Sequence, residues 1–186
     1  MRIISGNLKG RKIYLPTDKN TRPLKDMVKE SIFNLLDHSN KFSVTINKSN
    51  ILDLFAGSGS FGLECLSRGA KKVIFVENYF NAIKILKKNI QDLQVIEQSE
   101  IVEQDCFKFL DNQTNFTNKF KIIFIDPPYK EEKINYIIEE IKDKKILNKN
   151  GIIVIHRHKS DDLILSKKLR IIDVRSYGIS KIFFGN

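Results

Sequence analysis

The segment Ile51-Leu52-Asp53-Leu54-Phe55-Ala56-Gly57-Ser58-Gly59-Ser60-Phe61-Gly62 decides the fold. An apolar, β-prone run ends in a glycine loop, and a helical pattern follows it. Gly57, Gly59 and Gly62 fit G-x-G-x-x-G, in which the backbone turns tightly and lets a ligand approach a helix N-terminus. A Walker A loop is excluded, because Leu63 stands where its lysine would be.

Strand-like runs at Ile51 to Phe55, Val73 to Val76, Ile101 to Val102, Ile122 to Ile125 and Ile152 to Ile155 alternate with helical patterns, notably Ala82 to Ile90 and Ile134 to Ile146. Such alternation means βαβ units and a parallel sheet. Near the end, Ile171 to Val174 and Ile182 to Phe184 flank Ser176-Tyr177-Gly178. Two strands joined by a tight turn are antiparallel, so an antiparallel strand closes the sheet. Before the core, Arg2-Ile3-Ile4, Gly6-Asn7 and Lys12-Ile13-Tyr14-Leu15 read as a short β-hairpin. After Thr21-Arg22-Pro23, a helix is predicted from Lys25 to Asp37, followed by a polar linker from Ser39 to Asn50.

Glu77 ends the second strand, at the distance from Gly57 where a carboxylate accepts ribose hydroxyls. Loop and acid suit a dinucleotide and S-adenosylmethionine about equally. Asp53 tips the balance toward the latter. A carboxylate at the loop repels a pyrophosphate and attracts an ammonium. Asp105 ends the third strand, where it suits an adenine amino group, with the Cys106 N–H facing a ring nitrogen. It also suits the N-cap of a helix through Phe107-Lys108-Phe109-Leu110.

Phe124-Ile125-Asp126-Pro127-Pro128-Tyr129 carries the chemistry. A strand delivers a carboxylate, and two prolines without N–H groups fix the chain so that the Pro127 carbonyl lies beside it. Two acceptors match the two hydrogens of a planar exocyclic amine, whose delocalised lone pair makes it a poor nucleophile. They favour a pyramidal nitrogen, and one takes the proton after transfer. Tyr129 offers a face for an extruded base, worth about 1 to 3 kcal/mol.

The chain has 186 residues and a formal charge of +10. Its hydrophobic share, 41%, is enough for a buried core and argues against disorder. Ten Lys/Arg face four Asp/Glu in residues 1 to 48, fifteen face fifteen in 49 to 150, and seven face three in 151 to 186. A neutral core with basic margins points to a polyanionic partner. Arg2, Lys9, Arg11, Lys12 and Arg22 are the candidate phosphate-binding residues. Cys65, Cys106 and three scattered histidines make neither a disulfide scaffold nor a zinc site, so no metal is expected. No apolar run approaches a membrane span, and Met1 to Ser5 is too short for a signal peptide; a cytoplasmic protein, one domain in size, is expected.

The order of glycine loop, acidic strand end, Asp105 and Asp126-Pro127-Pro128-Tyr129 resembles the S-adenosylmethionine-dependent amino methyltransferases of the Rossmann-like class. More narrowly, Met1-Arg2-Ile3-Ile4-Ser5-Gly6, Lys9-Gly10-Arg11, Thr21-Arg22-Pro23, Asp26, Val28-Lys29-Glu30, Phe33-Asn34 and Leu52 to Gly59 resemble the bacterial small-subunit rRNA guanine-N2 methyltransferases, the RsmD family. The resemblance spans essentially the whole chain. It implies a class I α/β fold with a seven-stranded mixed sheet, the last strands antiparallel, plus an N-terminal hairpin and helix. It implies a basic extension over residues 1–48 packed on a methyltransferase domain over 49–186, acting as a monomer on a guanine N2 of 16S rRNA or the small subunit. Asp53, Phe55, Ala56, Gly57, Gly59, Glu77, Asp105 and Cys106 would hold the cofactor, and Asp126, Pro127, Pro128 and Tyr129 the guanine. Leu24 and Met27 depart from the family pattern, and Ile155-His156-Arg157-His158 replaces a Val-Glu-His type ending. His38, His156 and His158 read as surface or strand-end histidines. Rival readings are a DNA adenine-N6 or cytosine-N4 methyltransferase, an NAD-dependent oxidoreductase and a non-enzymatic RNA-binding protein.

Overall fold

The computed structural model describes residues 1–18, 24–112 and 119–186. After helix α1 (Asp26–His38), strands and helices alternate: β1 (Asn50–Leu54), α2 (Ser60–Ser67), β2 (Lys72–Glu77), α3 (Phe80–Asp92), β3 (Ser99–Glu103), α4 (Cys106–Asn112), β4 (Phe120–Ile125) and α5 (Ile134–Asp143). Strands β5 (Leu147–His158), β6 (Ile171–Tyr177) and β7 (Ser180–Gly185) complete one seven-stranded sheet in the order β3-β2-β1-β4-β5-β7-β6. This is the Rossmann-like class I methyltransferase fold. The order reverses between β1 and β4, and ligands of such sheets bind at that reversal, beyond the carboxyl ends of the strands.

Strand alternation sends neighbouring side chains to opposite faces. Ile51 of β1 joins the core formed with α1, α2 and α3, and Leu52 and Leu54 join the core formed with α4 and α5. Asp53 therefore falls on the α2 side. On that side Phe33, Phe61 and Phe124 stack in series, with centroids 5.0 and 4.0 Å apart.

Two sequence expectations change and one holds. The helix predicted to Ile146 stops at Asp143. Lys145 adopts a left-handed φ of +53°, and the Ile146 N–H donates to the Ile141 carbonyl at 3.0 Å, a Schellman stop that buries Ile146 against Ile141. The N-terminal hairpin is present but short: Arg2 bridges Lys12, the Ile3 and Ile13 N–H groups donate to the Arg11 and Met1 carbonyls and that of Gly10 to the Ile3 carbonyl, each at 2.9 Å, while the turn between them is tied to helix α2. The Glu64 carboxylate accepts the Ile4 and Ser5 N–H groups, and Ser67 Oγ accepts that of Leu8. Of the last two strands only β7 runs against the sheet. It pairs antiparallel to both β5 and β6, so β6 runs with β5 and forms the edge.

Candidate active site

A cavity of about 620 Å³ opens at the β1/β4 reversal, within the size range of small-molecule sites. The glycine loop forms one wall. Gly59 precedes α2 with a φ of +81°, and a Cβ there would lie 2.4 Å from Leu86 Cδ1. A Cβ on Gly62 would lie 2.3 Å from the Phe75 ring, so only glycine lets α2 sit this close to β2. Phe55 also takes a left-handed φ, +61°, and turns the chain into the loop.

Asp53 lines the cavity although it is only 1% exposed. Its Oδ2 accepts the Gly62 N–H at 3.0 Å, satisfying one free donor of the α2 N-terminus. Burial pushes its carboxyl well above the usual range; the Gly62 bond opposes this, and Asp126 and Glu77 add to it. Glu77 accepts three backbone N–H groups: Gly57 at 2.7 Å, Asn78 at 2.9 Å and Tyr79 at 2.8 Å. It thereby ties the glycine loop to the end of β2. Asp105 Oδ1 accepts the Phe107 and Lys108 N–H groups at 3.0 and 3.3 Å, capping α4, while the residue still lines the cavity. The capping role anticipated for Asp105 is present, and the cap sits at the cavity.

Phe55, Ala56 and Gly57 line the cavity. Gly59 and Cys106 are buried and do not. Cys106 is a core residue, and its burial pushes the thiol far up. Asp126, Pro127, Pro128 and Tyr129 line the cavity from the end of β4. Arg2, Lys9, Arg11 and Lys12 are exposed on the hairpin, and none lines the cavity. Arg11 donates to the Asp92 carbonyl at 2.6 Å. Leu15, Pro16 and Leu24 carry the N-terminal segment to the cavity instead. Arg22 lies outside the described residues.

Five carboxylates line the cavity, Asp53, Glu77, Asp105, Asp126 and Glu131, and no Lys, Arg or His does among the described residues. Such a donor set suits a cation and repels a pyrophosphate. No group of three or more metal-ligating side chains occurs among the described residues, and no helix there is long and apolar enough to cross a membrane.

The family model "Conserved hypothetical protein 95" matches residues 1–186. The chain belongs to this family. Proteins similar to it include the ribosomal RNA small subunit methyltransferase D of Haemophilus influenzae, 36% identical over 96% of this chain and 90% of that protein. The methyltransferase D of Escherichia coli K12 is 31% identical over 88% and 77% of the two chains. The solved structure of yhhF from Escherichia coli superposes with a TM-score of 0.84 at 27% identity, covering 100% of this chain and 96% of that one.

Besides cavity-lining residues such as Leu15, Pro16 and Glu131, three residues of β5 and β7 escaped the sequence reading. His156, read as a surface or strand-end histidine, is 3% exposed, with Nδ1 2.8 Å from Asp126 Oδ1 and Nε2 2.9 Å from Ser180 Oγ. Arg157 donates to the Tyr129 carbonyl at 3.2 Å. The signal for His156 lay in register: Ile125 pairs with Ile155, so Asp126 and His156 leave adjacent strands at the same level. Ser180 had no such signal, since only the β5–β7 pairing brings it near.

Proposed function

We propose that this chain is an S-adenosylmethionine-dependent methyltransferase that methylates the exocyclic N2 of a guanine in 16S rRNA, within the small subunit or its precursor. The observation that carries the reading is the cavity whose charged lining is wholly anionic among the described residues and which Asp126-Pro127-Pro128-Tyr129 also lines. When bound, the cofactor supplies an electrophilic methyl group on a cationic sulfur. Asp53 would attract its ammonium, Glu77 would accept its ribose hydroxyls, and Asp105 would accept its adenine amino group, with Phe55, Ala56 and Gly57 enclosing it. Gly59 and Cys106 would act through the backbone that they shape.

Asp126 and the Pro127 carbonyl would accept the two amine hydrogens, so that the nitrogen lone pair turns toward the methyl carbon. As the new N–C bond would form and the S–C bond break, its electron pair returning to the sulfur as a neutral thioether, Asp126 would take the departing proton. Tyr129 would stack on the base. The rRNA substrate is supported by the similarity to the ribosomal RNA small subunit methyltransferases D. Guanine N2 rests on the N-terminal motifs, Met1 to Gly6 and Lys9 to Arg11, that resemble the guanine-N2 enzymes.

The test is label transfer from S-adenosylmethionine to immature small subunits, naked rRNA and DNA, with the product nucleoside identified by mass. Label in guanine N2 of small-subunit RNA supports the reading; label in DNA adenine or cytosine overturns it. Asp126→Ala should lower kcat by about 100-fold or more, the share of a positioned acid–base group. Its cofactor Kd should stay within about threefold, because in this reading Asp126 contacts the base and not the cofactor. Calorimetry showing both lost together would make Asp126 structural.

A further inference from the structure

We propose that His156, held by Ser180, is a positioning residue that fixes the reactive orientation of Asp126. The proposal rests on the methyltransferase reading above and adds a role that the tetrad alone does not contain. A carboxylate has two oxygens and rotates freely unless one is engaged. His156 Nδ1 lies 2.8 Å from Asp126 Oδ1. An ionised carboxylate only accepts, so Nδ1 carries the hydrogen, and in the neutral ring Nε2 is then the acceptor. Ser180 Oγ, 2.9 Å from Nε2, donates to it. The ring's tautomer and plane are thus set from both sides, and Asp126 Oδ1 is committed. Oδ2 is left for the amine.

The imidazole is 3% exposed and does not line the cavity, so it acts through Asp126 and does not touch the substrate. The same strand end grips the rest of the tetrad. Arg157 donates to the Tyr129 carbonyl at 3.2 Å, and the His158 ring meets the Tyr129 ring edge-on at 4.7 Å. Consecutive residues of β5 therefore hold both ends of Asp126-Pro127-Pro128-Tyr129. Strand β7 makes this possible: it pairs His158 with Ser180 and His156 with Ile182, which extends β5 to the level of the tetrad and delivers Ser180 behind the ring.

Three variants test this by steady-state kinetics, cofactor calorimetry and thermal unfolding. His156→Phe keeps the ring and removes both hydrogen bonds. His156→Asn places an amide donor near the position of Nδ1 and gives up Ser180. Ser180→Ala frees the far side of the ring. A misoriented reacting group costs on the order of 100-fold, so His156→Phe should lower kcat about 30- to 100-fold with KM for RNA and Kd for S-adenosylmethionine within about twofold. His156→Asn should recover to within about fivefold of wild type, and Ser180→Ala should lose about threefold in kcat alone. Wild-type kcat in His156→Phe overturns the role, as does an equal loss in the Phe and Asn variants, which would mark a packing residue. If His156→Phe does not fold, Ser180→Ala decides: unchanged kcat overturns the proposal and a selective fall supports it. A wild-type protein that methylates no RNA would instead overturn the underlying reading.

Discussion

Asp53 serves two opposed demands. Its buried carboxyl sits well above the ordinary range, while the unfolded chain titrates near about 4. Between those two values the folded protein holds a proton that the unfolded chain has released. Stability is therefore fully present below the unfolded value and is lost as pH rises through the raised folded value. Asp53→Asn keeps an acceptor for the Gly62 N–H and carries no charge. Without ligand, it should melt at a higher temperature than wild type at pH 8, with the gap closing toward pH 4. S-adenosylmethionine affinity should move the other way, weakening about 10-fold or more as a charge-assisted hydrogen bond of about 1.5 to 3 kcal/mol is removed. Scanning fluorimetry across pH and calorimetry read the two effects. A lower melting temperature at pH 8 would contradict the burial argument. Glu77 and Asp105 differ from Asp53 in kind, since their oxygens hold backbone N–H groups at loop and helix starts. The loops that would meet the ligand are thus ordered by the carboxylates that would bind it.

Most strands were legible in the sequence because a parallel sheet buried on both faces needs continuous apolar runs, and Ile122 to Ile125 and Ile152 to Ile155 are such runs. Helix ends were less legible. Gly69 after α2 marks its left-handed stop openly, but Gln94 after α3 and Lys145 after α5 adopt the same conformation without a glycine to announce it. Partners brought together by distant strands were illegible, which hid Ser180 and left His156 without a role. The attachment of the N-terminal segment was hidden likewise, since Glu64 and Lys29 look like solvated helix charges and are both fully buried. Glu64 accepts from Ile4, Ser5 and Arg68, and lies 3.7 Å from Lys29 Nζ, which donates to the Arg2 carbonyl. Burial holds the Lys29 ammonium below its ordinary value, with Glu64 pulling it back up. Glu64→Ala removes the buried counter-charge of that ammonium, leaving it the Arg2 carbonyl and Asp26 at 4.0 Å, and strands two backbone donors, so it should cost about 3 to 5 kcal/mol in urea unfolding. Lys29→Met should cost less, because Glu64 keeps its three other donors. The reverse order would mean that the network is not centred on Glu64.

The net charge of +10 divides between an anionic interior and basic margins. Five carboxylates around the cavity repel phosphates as strongly as they attract a cation, so an RNA reaching Asp126 can insert a base but must leave its backbone outside. The margins are suited to receive it. Lys9, Arg11 and Lys12 are exposed on the hairpin and form no ion pair with an acidic side chain among the described residues, while Leu15 and Pro16, just beyond, reach the cavity. Lys12 and Lys88 lie 4.8 and 4.0 Å from the centre of the Tyr14 ring, so a second element adds charge to the same face. Arg11 is anchored to the end of α3 through the Asp92 carbonyl, which fixes a cation at this surface without neutralising it. We predict that replacing Lys9, Arg11 and Lys12 by glutamine weakens RNA binding and flattens its dependence on salt. Every phosphate of single-stranded RNA that is no longer neutralised takes about 0.7 from the slope of log affinity against log salt, so three such phosphates take about 2. Cofactor affinity should be unchanged, because none of the three side chains lines the cavity. A filter-binding titration from low to high salt measures the slope. An unchanged slope with intact methyl transfer would move the phosphate path off the hairpin, leaving the basic segment of residues 151–186 as the margin to test next.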